Sequence, residues 1–361
     1  MENKRIIAAL SGGVDSSVAA AIYVDKGYEV IGVTLKMKTC DDTREKTKSC
    51  CGIDDNIQAK LVAEKLGIKH YFLDVRKEFK EKILNYAWNE YSSARTPNPC
   101  VWCNFYLKFG SLIDFADEIG AIGVITGHYA ILDRTSTNSE NVKIYKGKDD
   151  LKNQTYFLSA LTQKQLNRSY MPLGELTKKE VRIMAEKLSL PNAEKEESQD
   201  SCFGYKGESF AETLARVSNS KFNKGKFIDA NNKILGEHTG FEKFTIGQRK
   251  GLGIALGAPA YVSNISLETH NITLTTDKKA LLSSGFIATK MNWLDFPSDS
   301  AICQVQTRYR QEPTEARVEK IDKSSAKITF LQPVLSVTPG QAAAFYNGSQ
   351  LIAGGWIEII I

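Results

Sequence analysis

Two groups of residues in this 361-residue chain have the types and spacing that chemistry requires. The first is Ser11-Gly12-Gly13-Val14-Asp15-Ser16-Ser17. Adjacent glycines let the backbone approach a ligand with no Cβ in the way, and the three serines offer hydroxyl donors. A helix starting here would add unpaired N–H groups and the positive end of its dipole. That donor set suits a pyrophosphate. No Gly-Lys-Ser/Thr follows it, so it is not a Walker A loop, and no Gly-x-Gly-x-x-Gly run occurs anywhere. The alternative is a Gly-Ser turn that only links a strand to a helix.

The second group is made of thiols. Pro97-Asn98-Pro99-Cys100-Val101-Trp102-Cys103-Asn104 carries a Cys-x-x-Cys, and its two prolines predict a rigid extended turn. A further thiol, Cys202, lies in Glu197-Ser198-Gln199-Asp200-Ser201-Cys202-Phe203. A structural zinc site normally takes four protein ligands. No second Cys-x-x-Cys exists, Cys50 and Cys51 are adjacent, and His70, His128, His238 and His270 are far apart, so zinc is the weaker alternative. Cys40, Cys50, Cys51 and Cys303 read as structural or incidental.

The elements that must position these groups alternate in type over the first 200 residues. Strand-like runs at Ile6 to Leu10, Glu29 to Met37, Tyr71 to Val75 and Ile122 to Thr126 alternate with helical stretches at Val18 to Lys26, Asn56 to Leu66 and Phe109 to Ile119. Each helical stretch ends at a glycine (Gly27, Gly67, Gly120), a natural C-cap. Such alternation predicts a doubly wound parallel sheet, which binds ligands at the carboxyl ends of its strands. After a helix at Glu208 to Val217 the pattern becomes turn-rich, with strand-like stretches at Asn271 to Thr275, Ile302 to Gln306, Ala316 to Ile321, Ala326 to Phe330 and Leu351 to Ile361. The fold class expected is an α/β N-terminal domain over residues 1–205, a small central domain over 206–280 and a C-terminal antiparallel β-barrel over 281–361. The polar residues 36–55 are expected to form a mobile loop.

Composition excludes other classes. Hydrophobic residues make up 42% and charged ones 25%, which fits a folded soluble protein and not a disordered one. The longest apolar run, Val18 to Val24, is far short of a membrane span, and the first residues do not read as a signal peptide, so a cytoplasmic location without membrane association is expected. Seven cysteines are too few for a disulfide scaffold. The net charge of +5 comes mainly from residues 206–361, with 18 Lys and Arg against 14 Asp and Glu, and points weakly to an anionic partner.

Ser11 to Ser16 resembles the pyrophosphate loop of the N-type ATP pyrophosphatases, which transfer AMP onto an oxygen and release pyrophosphate. With the two cysteine sites added, the chain resembles the bacterial tRNA-specific 2-thiouridylases nearly end to end. The stretches that carry the resemblance are Thr126-Gly127-His128-Tyr129, Lys152-Asn153-Gln154-Thr155-Tyr156-Phe157-Leu158, Ile246-Gly247-Gln248-Arg249-Lys250-Gly251-Leu252-Gly253, Thr307-Arg308-Tyr309-Arg310-Gln311 and Thr338-Pro339-Gly340-Gln341.

The resemblance implies the adenine-nucleotide α-hydrolase-like fold and an ATP-dependent 2-thiolation of the wobble uridine of tRNAs for lysine, glutamate and glutamine. ATP with Mg2+ would be held by Ala9, Leu10, Ser11, Gly12, Gly13, Val14, Asp15, Ser16, Leu35 and Gly127, with Asp15 also catalytic. The tRNA would be contacted by Asn98, Pro99, Cys100, His128, Lys152, Asn153, Gln154, Arg308, Tyr309 and Gln341. By the same resemblance, Cys202 takes sulfur as a persulfide from a relay protein or cysteine desulfurase. Cys103 is then the nucleophile that helps release it, leaving a Cys103–Cys202 disulfide.

The sequence departs from the family pattern at Cys100, where aspartate is common, and at Asn153, also usually aspartate. The first departure leaves open a [4Fe–4S] cluster on Cys100, Cys103 and Cys202, a persulfide route in which Cys100 only positions the base, or zinc on the same thiols. Plain structural readings stand beside the carried roles. His128 could be a packed core histidine, Arg308 and Arg310 could alternate on an exposed strand, and Gln248 to Gly251 could be an ordinary charged turn. Another adenylating ligase with the same loop would need an ammonia source or amino-acid pocket and would leave Cys103 and Cys202 without a role. The intact Ser11 to Ser16 loop argues against an RNA-binding module with a vestigial nucleotide fold.

Overall fold

In the computed structural model the described residues are 4–37, 53–135, 141–196, 207–254 and 256–361. Cys40, Cys50, Cys51 and Cys202 lie outside them, as does most of the expected loop 36–55, whose last residues instead open a helix at Ile53. The chain divides into two compact units. One comprises Met1–Lys82, Cys100–Gly207 and Ser349–Ile352, the other Ile83–Pro99, Glu208–Gly348 and Ala353–Ile361.

The first unit is built on β1 (Arg5–Ala9), β2 (Glu29–Lys36), β3 (Lys69–Asp74) and β4 (Val124–Ile125), followed by the hairpin β5 (Ala130–Asp133) and β6 (Lys143–Lys146), then β7 (Ser169–Tyr170). Strands β3, β2, β1, β4 and β7, in that order, form one parallel sheet. Its helices are α1 (Val14–Asp25), α2 (Ile53–Leu66), α3 (Pro99–Cys103), α4 (Leu112–Glu118) and α5 (Lys178–Lys187). Side chains alternate along a strand. Ile6 and Ala8 accordingly join Val18, Ala19, Val62, Ala63, Val181 and Ala185 of α1, α2 and α5 in one core cluster. Ile7, fully buried, takes no part in that cluster, and α4 packs on β1 and β4 from outside it. This is the doubly wound α/β arrangement expected.

Two local differences bear on the site. The expected rigid turn at Pro97 to Asn104 is helical from Pro99, because proline is well placed in a first helical turn where its missing N–H costs nothing. The α-helix expected from Phe109 starts only at Leu112, after a π-helical stretch, Asn104–Ser111, within which Gln165 Nε2 donates to Phe105 O (2.8 Å) and Phe109 O (2.9 Å).

The second unit contains the Asn85–Ser92 helix and α6 (Phe210–Val217), which begins with a Ser209/Glu212 capping box. β8 (Gly225–Ile228), β9 (Ile234–His238), β10 (Tyr261–Ile265) and β11 (Ile272–Thr275) form a small sheet over Phe227, Phe241, Val262, Ile272 and Leu274. β12 (Leu282–Trp293), β13 (Ser300–Gln306), β14 (Thr314–Lys320), β15 (Ala326–Leu335), β16 (Ala342–Asn347) and β17 (Gln350–Ile360) make the antiparallel barrel. It closes because β12 pairs with both β15 and β17. The first residues of β17 belong to the first unit, where Gln350 and Leu351 pair with Tyr145 and Ile144 of β6. Among the described residues no helix is long and apolar enough to cross a membrane.

Candidate functional site

The loop between β1 and α1 is held from both ends. Leu10 N donates to Val33 O (2.9 Å) and Thr34 Oγ1 to Leu10 O (2.8 Å), so the residue after Ala9 is fixed to β2, on which half-buried Leu35 lies. Ser16 and Ser17 donate their hydroxyls to Gly13 O, both at 2.9 Å, and Ser11 N donates to Ser16 Oγ (3.2 Å). The three-hydroxyl cradle expected from sequence is thereby revised: Ser16 and Ser17 brace the turn, and backbone N–H groups at the start of α1 are the natural anion donors. Val14 is buried beneath them.

Both key glycines are required by close approach. Gly12 has φ +73°, and a Cβ there would lie 2.3 Å from Asp55 O. A Cβ on Gly127 would lie 2.8 Å from both Asp15 C and Ser16 N. Gly127 therefore seats the first turn of α1 directly on the carboxyl end of β4.

Four side chains that sequence reasoning did not single out hold the loop. Asp15 Oδ1 accepts Tyr129 Oη (2.9 Å) and Lys178 Nζ (2.6 Å). Gly12 O accepts Asn192 Nδ2 and Lys195 Nζ, both at 3.0 Å, and Asn192 Nδ2 also donates to Ser17 Oγ (2.9 Å). Lys195 forms an ion pair with Asp55 at the start of α2. Lys178 is set by the Thr177/Glu180 capping box of α5 and by its own N–H to Asp149 Oδ2 (2.9 Å). Only Tyr129 fell inside a recognised stretch; the lysines and Asn192 are too far from the loop in sequence for any spacing to expose them.

His128 is buried, with Nδ1 2.9 Å from Thr126 Oγ1 and its ring tilted against Phe109. Burial, with a smaller contribution from Lys108, holds its pKa well below the ordinary value, so the ring is neutral. Lys152 ends a short 3-10 turn capped by Asp149. Asn153 Oδ1 accepts Thr155 N (3.1 Å) and Oγ1 (2.8 Å), the task an aspartate would perform there. Gln154 Oε1 accepts Tyr129 N (3.1 Å), which ties this turn to the residue that holds Asp15.

Cys100 and Cys103 are thiols three residues apart on α3, hence on one helical face. Cys100 is half-buried and Cys103 only 4% exposed, both on a helix and not in the extended turn expected from the prolines. Among the described residues no group of three His, Cys, Asp or Glu could hold a metal ion. Burial pushes the Cys303 thiol up to about 12, which suits an inert core residue.

In the second unit three recognised stretches form one network. Gln341 Nε2 donates to Thr96 O (3.1 Å) and Pro97 O (2.8 Å), and Thr96 N donates to Pro339 O (2.9 Å). Arg308 donates to Ile246 O (2.8 Å) and Thr338 Oγ1 (2.6 Å). Arg95 meets Glu358 through two 3.0 Å bonds and Glu90 at 2.8 Å. These bonds fix the backbone of Thr96 and Pro97 within the second unit. The alternative of Arg308 and Arg310 alternating on an exposed strand does not hold: β13 ends at Gln306, and both lie in the following turn, Arg310 with φ +68° and its guanidinium over Tyr309.

Three family descriptions match the chain in order: tRNA methyl transferase HUP domain at residues 4–206, tRNA methyl transferase PRC-barrel domain at 211–276 and aminomethyltransferase beta-barrel domain at 283–357. A tRNA-specific 2-thiouridylase MnmA of Carboxydothermus hydrogenoformans is 41% identical, with 98% of each chain covered. The same-named protein of Treponema denticola is 40% identical over 99% of this chain and 98% of the relative. Among solved structures, a 4-thiouridine synthetase–RNA complex with bound ATP aligns over 60% of this chain and 50% of that one, with 16% identity and TM-score 0.34.

Proposed function

We propose, from the premise that the chain belongs to the tRNA-specific 2-thiouridylase family, that it is an ATP-dependent sulfurtransferase replacing the 2-oxygen of wobble uridine in tRNA by sulfur. The uridine 2-carbonyl is inert. Transfer of AMP to its oxygen releases pyrophosphate and makes C2 electrophilic, and a sulfur nucleophile then displaces AMP. The observation that carries the reading is the loop of Ser11 to Ser17. It combines the N-terminus of α1 with two glycines, held in place by Lys178 of α5 and Lys195 of the 192–195 turn, an arrangement that suits a polyphosphate.

In this reading Ala9 to Ser16, Leu35 and Gly127 hold ATP, with Mg2+ accompanying it. Asn98, Pro99, Cys100, His128, Lys152, Asn153, Gln154, Arg308, Tyr309 and Gln341 form or brace the tRNA surface. The internal bonds of Arg308, Gln341, Asn153 and Gln154 favour bracing for those four. Cys202 carries the persulfide, supplied by a relay protein or cysteine desulfurase, and Cys103 assists its release. The division at residues 205 and 280 belongs to the same reading, supported by the family matches that break at 206–211 and 276–283. The protein would act in the cytoplasm on tRNAs for lysine, glutamate and glutamine. The described residues supply two of the three thiols a [4Fe–4S] cluster would need, Cys100 and Cys103.

The test is direct. Purified protein, ATP, unmodified tRNA and a persulfide donor should yield 2-thiouridine by nucleoside mass spectrometry, with AMP and pyrophosphate formed in equal amounts. Thiolation without ATP consumption, or adenylation of another substrate, would overturn it.

A further inference from the structure

The carbonyl of Gly12 accepts two side-chain donors from one turn, Asn192 Nδ2 and Lys195 Nζ, each at 3.0 Å. The Gly12–Gly13 peptide is trans and planar, so its C=O and the Gly13 N–H point in opposite directions. Holding the oxygen therefore fixes the direction of the Gly13 N–H, at the N-cap of α1. Asn192 Nδ2 also bonds Ser17 Oγ at 2.9 Å, which ties the first turn of α1 to the same point.

The chemistry of each partner separates aiming from simple attraction. Asn192 is uncharged and 3% exposed. Its Oδ1 is buried and has no hydrogen-bond partner among the described residues, so the amide is used for its donor side. Lys195 shares its charge with Asp55, whose own carbonyl fills the space a Gly12 Cβ would take. Neither residue offers an uncompensated positive charge.

We propose that Asn192 and Lys195 are positioning residues for the polyphosphate of a nucleoside triphosphate: they lock the Gly12–Gly13 peptide so that the N–H donors at the start of α1 are aimed before the ligand arrives. The proposal rests on the nucleotide-binding part of the function above and on no part of its sulfur chemistry. Preorganised donors add affinity because the ligand does not have to order them. The effect should appear with pyrophosphate and ATP and be absent with AMP.

Calorimetric titration of the full chain with ATP, pyrophosphate and AMP tests it, using Asn192→Asp, Lys195→Met and Lys195→Arg. Asn192→Asp keeps the shape but sets a carboxylate against the Gly12 carbonyl. It and Lys195→Met should weaken ATP and pyrophosphate at least about 10-fold, with AMP within about twofold. KM for ATP should rise while kcat stays within about threefold, and Lys195→Arg should recover most of the affinity. Should Asn192→Asp melt far below the unaltered protein, Lys195→Met decides, at a side chain 28% exposed. Pyrophosphate affinity unchanged in Lys195→Met, or AMP weakened equally, overturns the proposal. Unaltered protein that binds ATP normally yet thiolates nothing overturns the sulfurtransferase reading and leaves this one standing.

Discussion

Tyr129 donates its phenolic proton to Asp15 Oδ1 at 2.9 Å while its backbone N–H and C=O are both taken by Gln154. One buried tyrosine therefore joins the nucleotide loop to the Lys152–Gln154 turn. Its side chain orients a carboxylate 114 residues away in sequence, and its backbone sets the turn that follows β6.

Tyr129→Phe removes one hydrogen bond to a charged group, an interaction of about 1.5–3 kcal/mol. The expected outcome is a fall of about 10- to 100-fold in kcat/KM for ATP, read by pyrophosphate release, with tRNA affinity unchanged. Asp15→Ala should abolish adenylation and likewise leave tRNA binding intact. Full pyrophosphate release by both variants would remove Asp15 from the reaction.

Cys202→Ser should fail to accept labelled sulfur from a persulfide donor. Cys103→Ser should accept it and then stall before 2-thiouridine appears. Because Cys103 is buried on α3, its hydroxyl replacement should also cost about 1–2 kcal/mol of stability, measurable as a lower denaturation midpoint in a still folded protein. Normal thiolation by either variant sinks the two-cysteine route.

Anaerobic purification followed by iron and sulfide analysis should find no cluster, and Cys100→Asp should thiolate normally with a persulfide donor. Cys100 would then act only in placing the base. Loss of both iron and activity in Cys100→Asp would instead withdraw the persulfide role of Cys202.

Stability should fall with acid in two steps. His70, His128 and His238 all have pKa values lowered first by burial, so the unfolded chain binds their protons more readily than the native one. Their contribution is complete above the ordinary value of 6.5 and is lost as pH falls below it. Glu180, held down chiefly by the Thr177 N–H, and Glu212, held down chiefly by Lys243, sit at about 2. Their contribution is present above 4.5 and is lost between there and about 2. In thermal melts at pH about 7.5 and 5.5, His128→Gln should lose less stability than the unaltered protein. An equal loss would show that His128 does not drive the first step.

The doubly wound sheet was legible because strand-length apolar runs such as Ile6 to Leu10 alternate with helices that stop at glycine. β16 was not, since Ala342-Ala343-Ala344 carries helix propensity and becomes a strand only through burial between neighbours in the barrel. The loop itself could be read because its glycines and Asp15 are contiguous. Its supports could not: Lys178, Asn192 and Lys195 reach it through tertiary folding, with no period linking them to residues 11–17. The end of β13 at Gln306 was legible, while the positive φ at Arg310 in the turn beyond it has no sequence signature.

Because Gln350 and Leu351 pair with β6, the order of synthesis and the order of completion differ in the first unit. Ribosomes add roughly 5–20 residues per second, so the strand that covers Tyr145 and Ile144 emerges roughly 10–40 s after them. During that interval β6 presents an unpaired edge, the kind of surface that recruits other chains. Lys143 and Lys146 lie on that strand, and their charges would discourage a neighbouring nascent chain from pairing there before residue 350 arrives.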